Sequence, residues 1–322
     1  MKMIKLGVKM KHVNQLTKGA MLLAIYSVLL IITLYIPLLG TIINLFLPLP
    51  FMLFAVKNNL QSSVVFFVAS VFISIILGSM LAVPLTFAYG MTGVIIGYLI
   101  RLQKNRWTIL FGGSIVFLLN VIGTYIVSVV FLEKNFIKEF IDVFRESFQT
   151  SIEMMEKIGQ APNQQMIEQF ETSIAMVETL IPSLFVMSSF MIVFIIMLVS
   201  MPVLKRFGVK LTDWKPLREL MLPKSLLWYY LVSTAASLIM NPEQGSYLYT
   251  ALANLIYILQ LCMLIQGVSL IFFFCHHKGY PKAVPVLIVV FSLLLPFLLY
   301  IIRILGIIDL GFNLRKRMEK NG

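Results

Sequence analysis

The sequence predicts an all-α integral membrane protein: a polytopic helical bundle of about nine hydrophobic segments with an amphipathic helical hairpin on its outer face. Three observations predict it. Of 322 residues, 59% are hydrophobic and 12% charged, with a mean hydropathy of +0.93, whereas a soluble globular chain is roughly 25% charged. The apolar residues form long blocks, not the alternating segments of about ten residues that build a β-barrel. The basic residues gather in short loops between alternate blocks, which is how cytoplasmic loops are marked.

The first block, 19–36, follows the basic tail Lys2, Lys5, Lys9, Lys11 and Lys18. It reads as an uncleaved span, because the bulky Tyr35-Ile36-Pro37 replaces the small residues of a secretory cleavage site. Pro37-Leu38-Leu39-Gly40 is a turn. The second block, 41–56, is short and holds Pro48 and Pro50, so it is expected to be irregular or kinked, each proline removing a backbone donor. Further blocks run 62–83, 84–100 (with Gly90, Gly93 and Gly97), 107–132, 180–204, 225–240, 247–275 and 283–308. Lys57, then Arg101, Lys104 and Arg106, then Lys205, Arg206, Lys210, Lys215, Arg218 and Lys224, then His276, His277, Lys278 and Lys282 fall in alternate loops. This places them with the N-terminus in the cytoplasm of a bacterial plasma membrane. A simple ninth span, the preferred expectation, puts Arg315, Lys316 and Arg317 outside. A re-entrant hairpin bent near Pro296 would return them.

Residues 133–179 differ. They carry Glu133, Glu139, Asp142, Glu146, Glu153, Glu156, Glu168, Glu171 and Glu178. Phe136, Phe140, Phe144, Phe148 and Ile152 recur one helical turn apart, as do Met166, Phe170, Ile174 and Val177 around a turn at 159–163. The expectation is an antiparallel hairpin whose two stripes pack together. The regions in chain order are therefore a six-span region, 1–204, with the hairpin inserted; a basic loop, 205–224; and a C-terminal membrane module of about three segments, 225–322.

The function classes narrow quickly. The chain has no H-E-x-x-H, C-x-x-C, G-x-S-x-G, P-loop or dinucleotide fingerprint, so it is read as a non-enzyme without cofactor or metal. If ATP drives it, another subunit hydrolyses the ATP. The net charge of +12 is accounted for by the loops, and with no basic stripe interleaved with aromatics, nucleic acid is not a partner. Cys262 and Cys275 are thirteen residues apart on one segment, about 20 Å along a helix, too far to bridge. Cys275-His276-His277 are adjacent and do not share a helical face for one metal ion.

Polar residues inside apolar blocks are the best pointers to function. Asn120 and Thr124, with Ser128, line one face of the fifth block; Asn254, Tyr257, Gln260 and Gln266 lie on the eighth; Asn44 lies in the second. They suit a neutral polar ligand or plain interhelical bonds. Arg303 lies in the last block, with Asp309 the nearby acid. Ala20 and Ala24, and Gly93 and Gly97, are small-x-x-x-small pairs that let helices approach closely in lipid, either within the chain or against another subunit.

Lys18-Gly19-Ala20-Met21-Leu22-Leu23-Ala24-Ile25-Tyr26, the Pro37-x-x-Gly40 turn, Pro48-Leu49-Pro50-Phe51, the glycine-rich fourth block and the tail Leu305-Gly306-Ile307-Ile308-Asp309 with Asn313-Leu314-Arg315-Lys316-Arg317 resemble the YybS-like family of multi-pass bacterial membrane proteins over nearly the whole chain. The region to about residue 204 is similar to substrate-binding S components of energy-coupling factor transporters. That resemblance implies that Ala20 and Ala24 contact a transmembrane coupling subunit served by ATPases, and that a small molecule is held near the outer side. The segments after 204 and the hairpin depart from that pattern. They favour the alternative, a non-transporting membrane scaffold or regulator.

Overall fold

The computed structural model describes residues 2–159, 163–213 and 216–320. Residues 160–162, the middle of the expected hairpin turn, and Lys215 of the basic loop lie outside the described residues. The described chain is helical throughout, with seven helical stretches long and apolar enough to cross a membrane: Gln15–Tyr35, Pro37–Lys57, Leu60–Gly78, Met80–Arg101, Arg106–Phe131, Gln164–Arg206 and Tyr247–His277. Where nine spans were expected, the last part of the chain supplies shorter helices instead. The chain forms two compact units, Met1–Ser151 with Phe185–Trp214, and Ile152–Leu184 with Lys215–Gly322.

The helices of the first unit follow from caps and prolines. Helix α1 (Lys2–Tyr35) stops before Pro37, which starts α2 (Pro37–Ile43). A 3-10 turn, Asn44–Phe46, leads to α3 (Pro48–Lys57), so the proline-containing block is a stepped span. Asn59 caps α4 (Leu60–Gly78), its Oδ1 accepting from the Ser62 N–H at 3.0 Å. The next span is also composite: a 3-10 turn, α5 (Val83–Thr86), a π-helical turn Phe87–Met91 and α6 (Thr92–Arg101). Asn105 caps α7 (Arg106–Phe131), and Asn135 caps α8 (Phe136–Lys157). Helix α9 (Gln164–Arg206) runs unbroken for 43 residues.

The first unit packs around a buried aromatic core. Tyr26 meets Phe51 edge to face at 5.0 Å, Phe51 meets Phe66 at 5.4 Å, and Phe54 stacks on Phe66 at 4.4 Å. Ile96, Leu110, Val193 and Met197 complete the core. The glycines of the fourth block are used inside the chain. A Cβ on Gly93 would lie 2.6 Å from the Pro48 carbonyl oxygen, and one on Gly97 2.7 Å from that of Met52. Helices α6 and α3 therefore touch backbone to backbone, as small-residue crossings in membranes do.

The second unit contains the start of α9, then α10 (Ser225–Met240), α11 (Tyr247–His277), α12 (Ala283–Leu294), α13 (Pro296–Phe312) and α14 (Leu314–Lys320). Asn241 ends α10 in the left-handed region, and Ser246 caps α11. The expected ninth span is two helices. Leu295 is extended at φ −119°, ψ 94°, and Pro296 begins the second helix. Pro296 has no N–H to continue the ladder of α12. A Cβ on Gly267 would lie 1.9 Å from the Ile302 carbonyl oxygen, and one on Gly306 1.9 Å from that of Met263, so α11 and α13 cross at backbone contact. Further along, Arg315 reaches Ser269 and lies over the Phe273 ring. Only a parallel pair puts both sets of contacts in register. Helix α12 therefore leaves the His277 end of α11, and α13 returns the tail to that same end. The simple last span gives way to a hairpin bent at Pro296.

The expected 133–179 hairpin also differs. Its second arm does not end near 179 but continues into the sixth span as α9. Residues 164–184 of α9 belong with the second unit, where Thr179 and Ser183 are bonded to Asn254. On α8, Phe136, Phe140 and Phe144 are 53%, 61% and 49% exposed, so this part of the stripe is not a buried seam. On α9, Ile174 is buried and Val177 exposed.

Candidate functional site

The predicted residues fall into three places. Ala20 and Ala24 are both exposed on α1. Ala20, with Gly19 and Leu23, borders a surface groove of about 460 Å³ between α1 and α4, whose far wall is Val65, Phe66 and Ala69. On α7, Asn120 is half-buried and donates to the Val116 carbonyl of its own helix at 2.7 Å, and Thr124 is half-buried one turn on. The remaining candidates are on α11, where they do not converge. Tyr257 and Gln260 are half-buried, and the buried Asn254 and Gln266 are about 18 Å apart along the helix.

Asn254 is a clasp between α11 and α9. Its Oδ1 accepts from the Ser183 N–H at 2.8 Å and the Ser183 hydroxyl at 2.6 Å, while its amide donates to the Thr179 carbonyl at 2.7 Å and the Thr250 carbonyl at 2.8 Å. Three of these are the interhelical bonds weighed against ligand binding for this residue, the Thr250 bond lies within α11, and both polar atoms of the side-chain amide are engaged.

Gln266 belongs to a buried charged cluster at the base of α11. Its Oε1 accepts the Leu222 N–H at 3.0 Å, and its Nε2 donates to Asp309 Oδ2 at 2.6 Å. The same carboxylate oxygen accepts from Arg315 Nε at 2.9 Å. The other two Arg315 nitrogens donate to the Arg218 carbonyl at 2.7 Å and to Ser269 Oγ at 3.0 Å. Ser269 in turn donates toward the Leu217 and Leu220 carbonyls at 2.7 and 2.8 Å. Asp309 is 0% and Arg315 7% exposed. A buried pair is tolerable only with such added hydrogen bonds. The cluster ties three separate chain segments together: the 217–222 stretch, α11 and the tail. Asp309 Oδ1 is buried and has no partner among the described residues.

Sequence reasoning found Gln266 and noticed Asp309 only as a neighbour of Arg303. The structure instead places the Arg303 guanidinium 4.5 Å over the Tyr300 ring. Ser269 and Arg315 were missed. The available signal was that Asp309 is the sole acid between Glu243 and Glu319, so a buried carboxylate there needs a cation from nearby. Asn313, at φ 50°, turns the chain back so that Arg315 can supply it. Close by, at the C-terminal end of α11, Cys275 is buried while His276 and His277 are exposed, so the three adjacent residues point apart.

The family described as "Predicted membrane protein (DUF2232)" matches residues 24–310. The chain belongs to this family. A relative described as "Uncharacterized protein YybS", from Bacillus subtilis (strain 168), is 30% identical over 311 residues, covering 96% of this chain and 100% of the relative. No solved structure matches. The stretch matched to the DUF2232 family contains Ala24, Asn254, Gln266 and Asp309 and ends before Arg315.

Proposed function

We propose that this DUF2232 protein is a non-catalytic, membrane-embedded subunit of a bacterial transport complex, with its N-terminus in the cytoplasm. In this reading α1 docks a transmembrane coupling subunit, and partner ATPases hydrolyse ATP. One observation carries it. The two small-residue faces of the first unit have different fates: Gly93 and Gly97 are consumed in packing on α3, whereas Ala20 and Ala24 stay exposed, Ala20 beside an open groove. A small-residue face left open in lipid is suited to close approach by another helix. Ligand recognition by Asn254 and Gln266 is less favoured, because both amides are engaged internally. The test replaces both Ala20 and Ala24 with Leu. Gently extracted wild-type protein should carry a coupling subunit in native mass spectrometry, and the double variant should lose it with unchanged thermal unfolding. A wild-type chain that carries no such subunit sinks the reading.

The second reading is a non-transporting scaffold, favoured by the exposed Phe136, Phe140 and Phe144 on α8. Photocrosslinking from these positions should then trap one specific membrane protein. Products that are entirely internal or lipidic would count against it.

A further inference from the structure

On the other side of α1 lies a second groove, of about 380 Å³, between α1 and α3. Its walls are apolar: Met21, Leu22 and Ile25 from α1, and Leu53 and Phe54 from α3. Its rim is cationic, with Lys18 and Lys57 both exposed. Asn58, also on the rim, has its carbonyl taken by the Arg101 guanidinium, which sets a third cation against the same edge. Nothing in the surrounding sequence neutralises these charges. No Asp or Glu occurs before Glu133, and neither lysine has an ion-pair partner among the described residues.

We propose that this groove binds one anionic phospholipid, its phosphate between Lys18 and Lys57 and an acyl chain against the Met21, Ile25 and Leu53 walls. Both lysines sit where apolar sequence gives way to polar sequence: Lys18, within α1, directly precedes the first apolar block, and Lys57 is the last residue of α3. That is headgroup depth, and basic pockets between transmembrane helices are suited to phosphate headgroups. A free phosphate would satisfy the rim and leave the walls unused. The walls make the occupant a lipid.

The test uses the full chain in mild detergent with an equimolar mixture of dioleoyl-phosphatidylglycerol and dioleoyl-phosphatidylcholine, read by native mass spectrometry. The wild type should retain the anionic lipid over the zwitterionic one by roughly 10-fold or more, the scale of two cations at a membrane surface. Lys18→Gln with Lys57→Gln should bring that preference below about 3-fold. Met21→Trp, which fills the groove and keeps the charges, should release the bound lipid. Equal retention of the two lipids by the wild type overturns the proposal. So does a preference that survives in the lysine variant, retention by Met21→Trp, or displacement of phosphatidylglycerol by inorganic phosphate.

Discussion

Removing the Asp309 carboxylate should loosen the base of the second unit, by an amount that can be worked from its contacts. In Asp309→Ala, Arg315 loses its 2.9 Å partner and the Gln266 amide its 2.6 Å partner. Breaking a buried pair from one side costs roughly 3–5 kcal/mol, because the other charge is left uncompensated. Here Arg315 keeps its bonds to the Arg218 carbonyl and Ser269 and its place over Phe273 at 5.4 Å. The lower figure, about 3 kcal/mol, therefore applies. Asp309→Leu combined with Arg315→Met removes both charges and should return to within about 1 kcal/mol of wild type, as apolar replacement of a buried pair does. The assay is reversible unfolding in mixed micelles followed by far-UV circular dichroism, run as a double-mutant cycle. A loss below about 1 kcal/mol in Asp309→Ala, or strictly additive singles, would refute the argument that this pair ties loop, helix and tail together.

Three further predictions follow from particular contacts. Gly306→Val should force α13 off α11, since even a Cβ would meet the Met263 carbonyl oxygen at 1.9 Å; a loss of roughly 3 kcal/mol or more is expected in the same unfolding assay, and Gly123→Ala, with open space around it, is the control. Asn254→Ala removes the side-chain partner of the Ser183 N–H, the Ser183 hydroxyl and the Thr179 carbonyl and should cost roughly 1–3 kcal/mol, whereas Asn120→Ala removes one bond within its own helix and should cost well under 1 kcal/mol. In a background with Cys262 and Cys275 replaced by Ala, cysteines introduced at Lys278 and Arg317 should react with an impermeant maleimide from the same side of the membrane, because α13 returns the tail to the His277 end of α11; reaction from opposite sides would restore the simple last span.

Much of the helical layout was legible because lipid imposes a length and a composition on every crossing. The apolar block 225–240 and the helix Ser225–Met240 coincide, and the kinked second block is the stepped span that Pro48 and Pro50 dictate. What escaped depended on partners distant in sequence. The break between the hairpin's second arm and the sixth span was placed where charge gives way to apolarity, near 179. Backbone hydrogen bonds do not register that change, and Asn254 holds both sides of it in one helix, α9. The bend at Pro296 was visible as an alternative. What decides for it is Arg315, whose six-residue separation from Asp309 matches no helical spacing and works only through the left-handed turn at Asn313. For the candidate site, neutral residues were chosen by type, and type does not say where an amide bonds. Asn120 bonds to its own helix, Asn254 to another, and Gln266 to the carboxylate.

The two units handle charge in opposite ways, and this separates the roles assigned to them. The second unit buries an acid with its cation, and the chain itself supplies both. Substituting Asp309 should therefore change stability and leave lipid preference alone. The first unit carries nine Lys and Arg residues before its first acid, Glu133, and packs through aromatic contacts and close helix crossings. Lys18 and Lys57 contribute little to its folding, since an exposed cation without a partner stabilises nothing. In the lipid proposal their counter-charge is the headgroup phosphate. Ala20 lies on the same helix as Lys18 but lines the other groove, which shares Gln15 and Phe54 with the lysine groove and none of its cationic rim, so lipid and protein can occupy α1 together. Variants in the lysine groove should then leave subunit capture intact, and Ala20→Leu with Ala24→Leu should leave the phosphatidylglycerol preference intact. If either substitution abolished both properties, the two grooves would be one site.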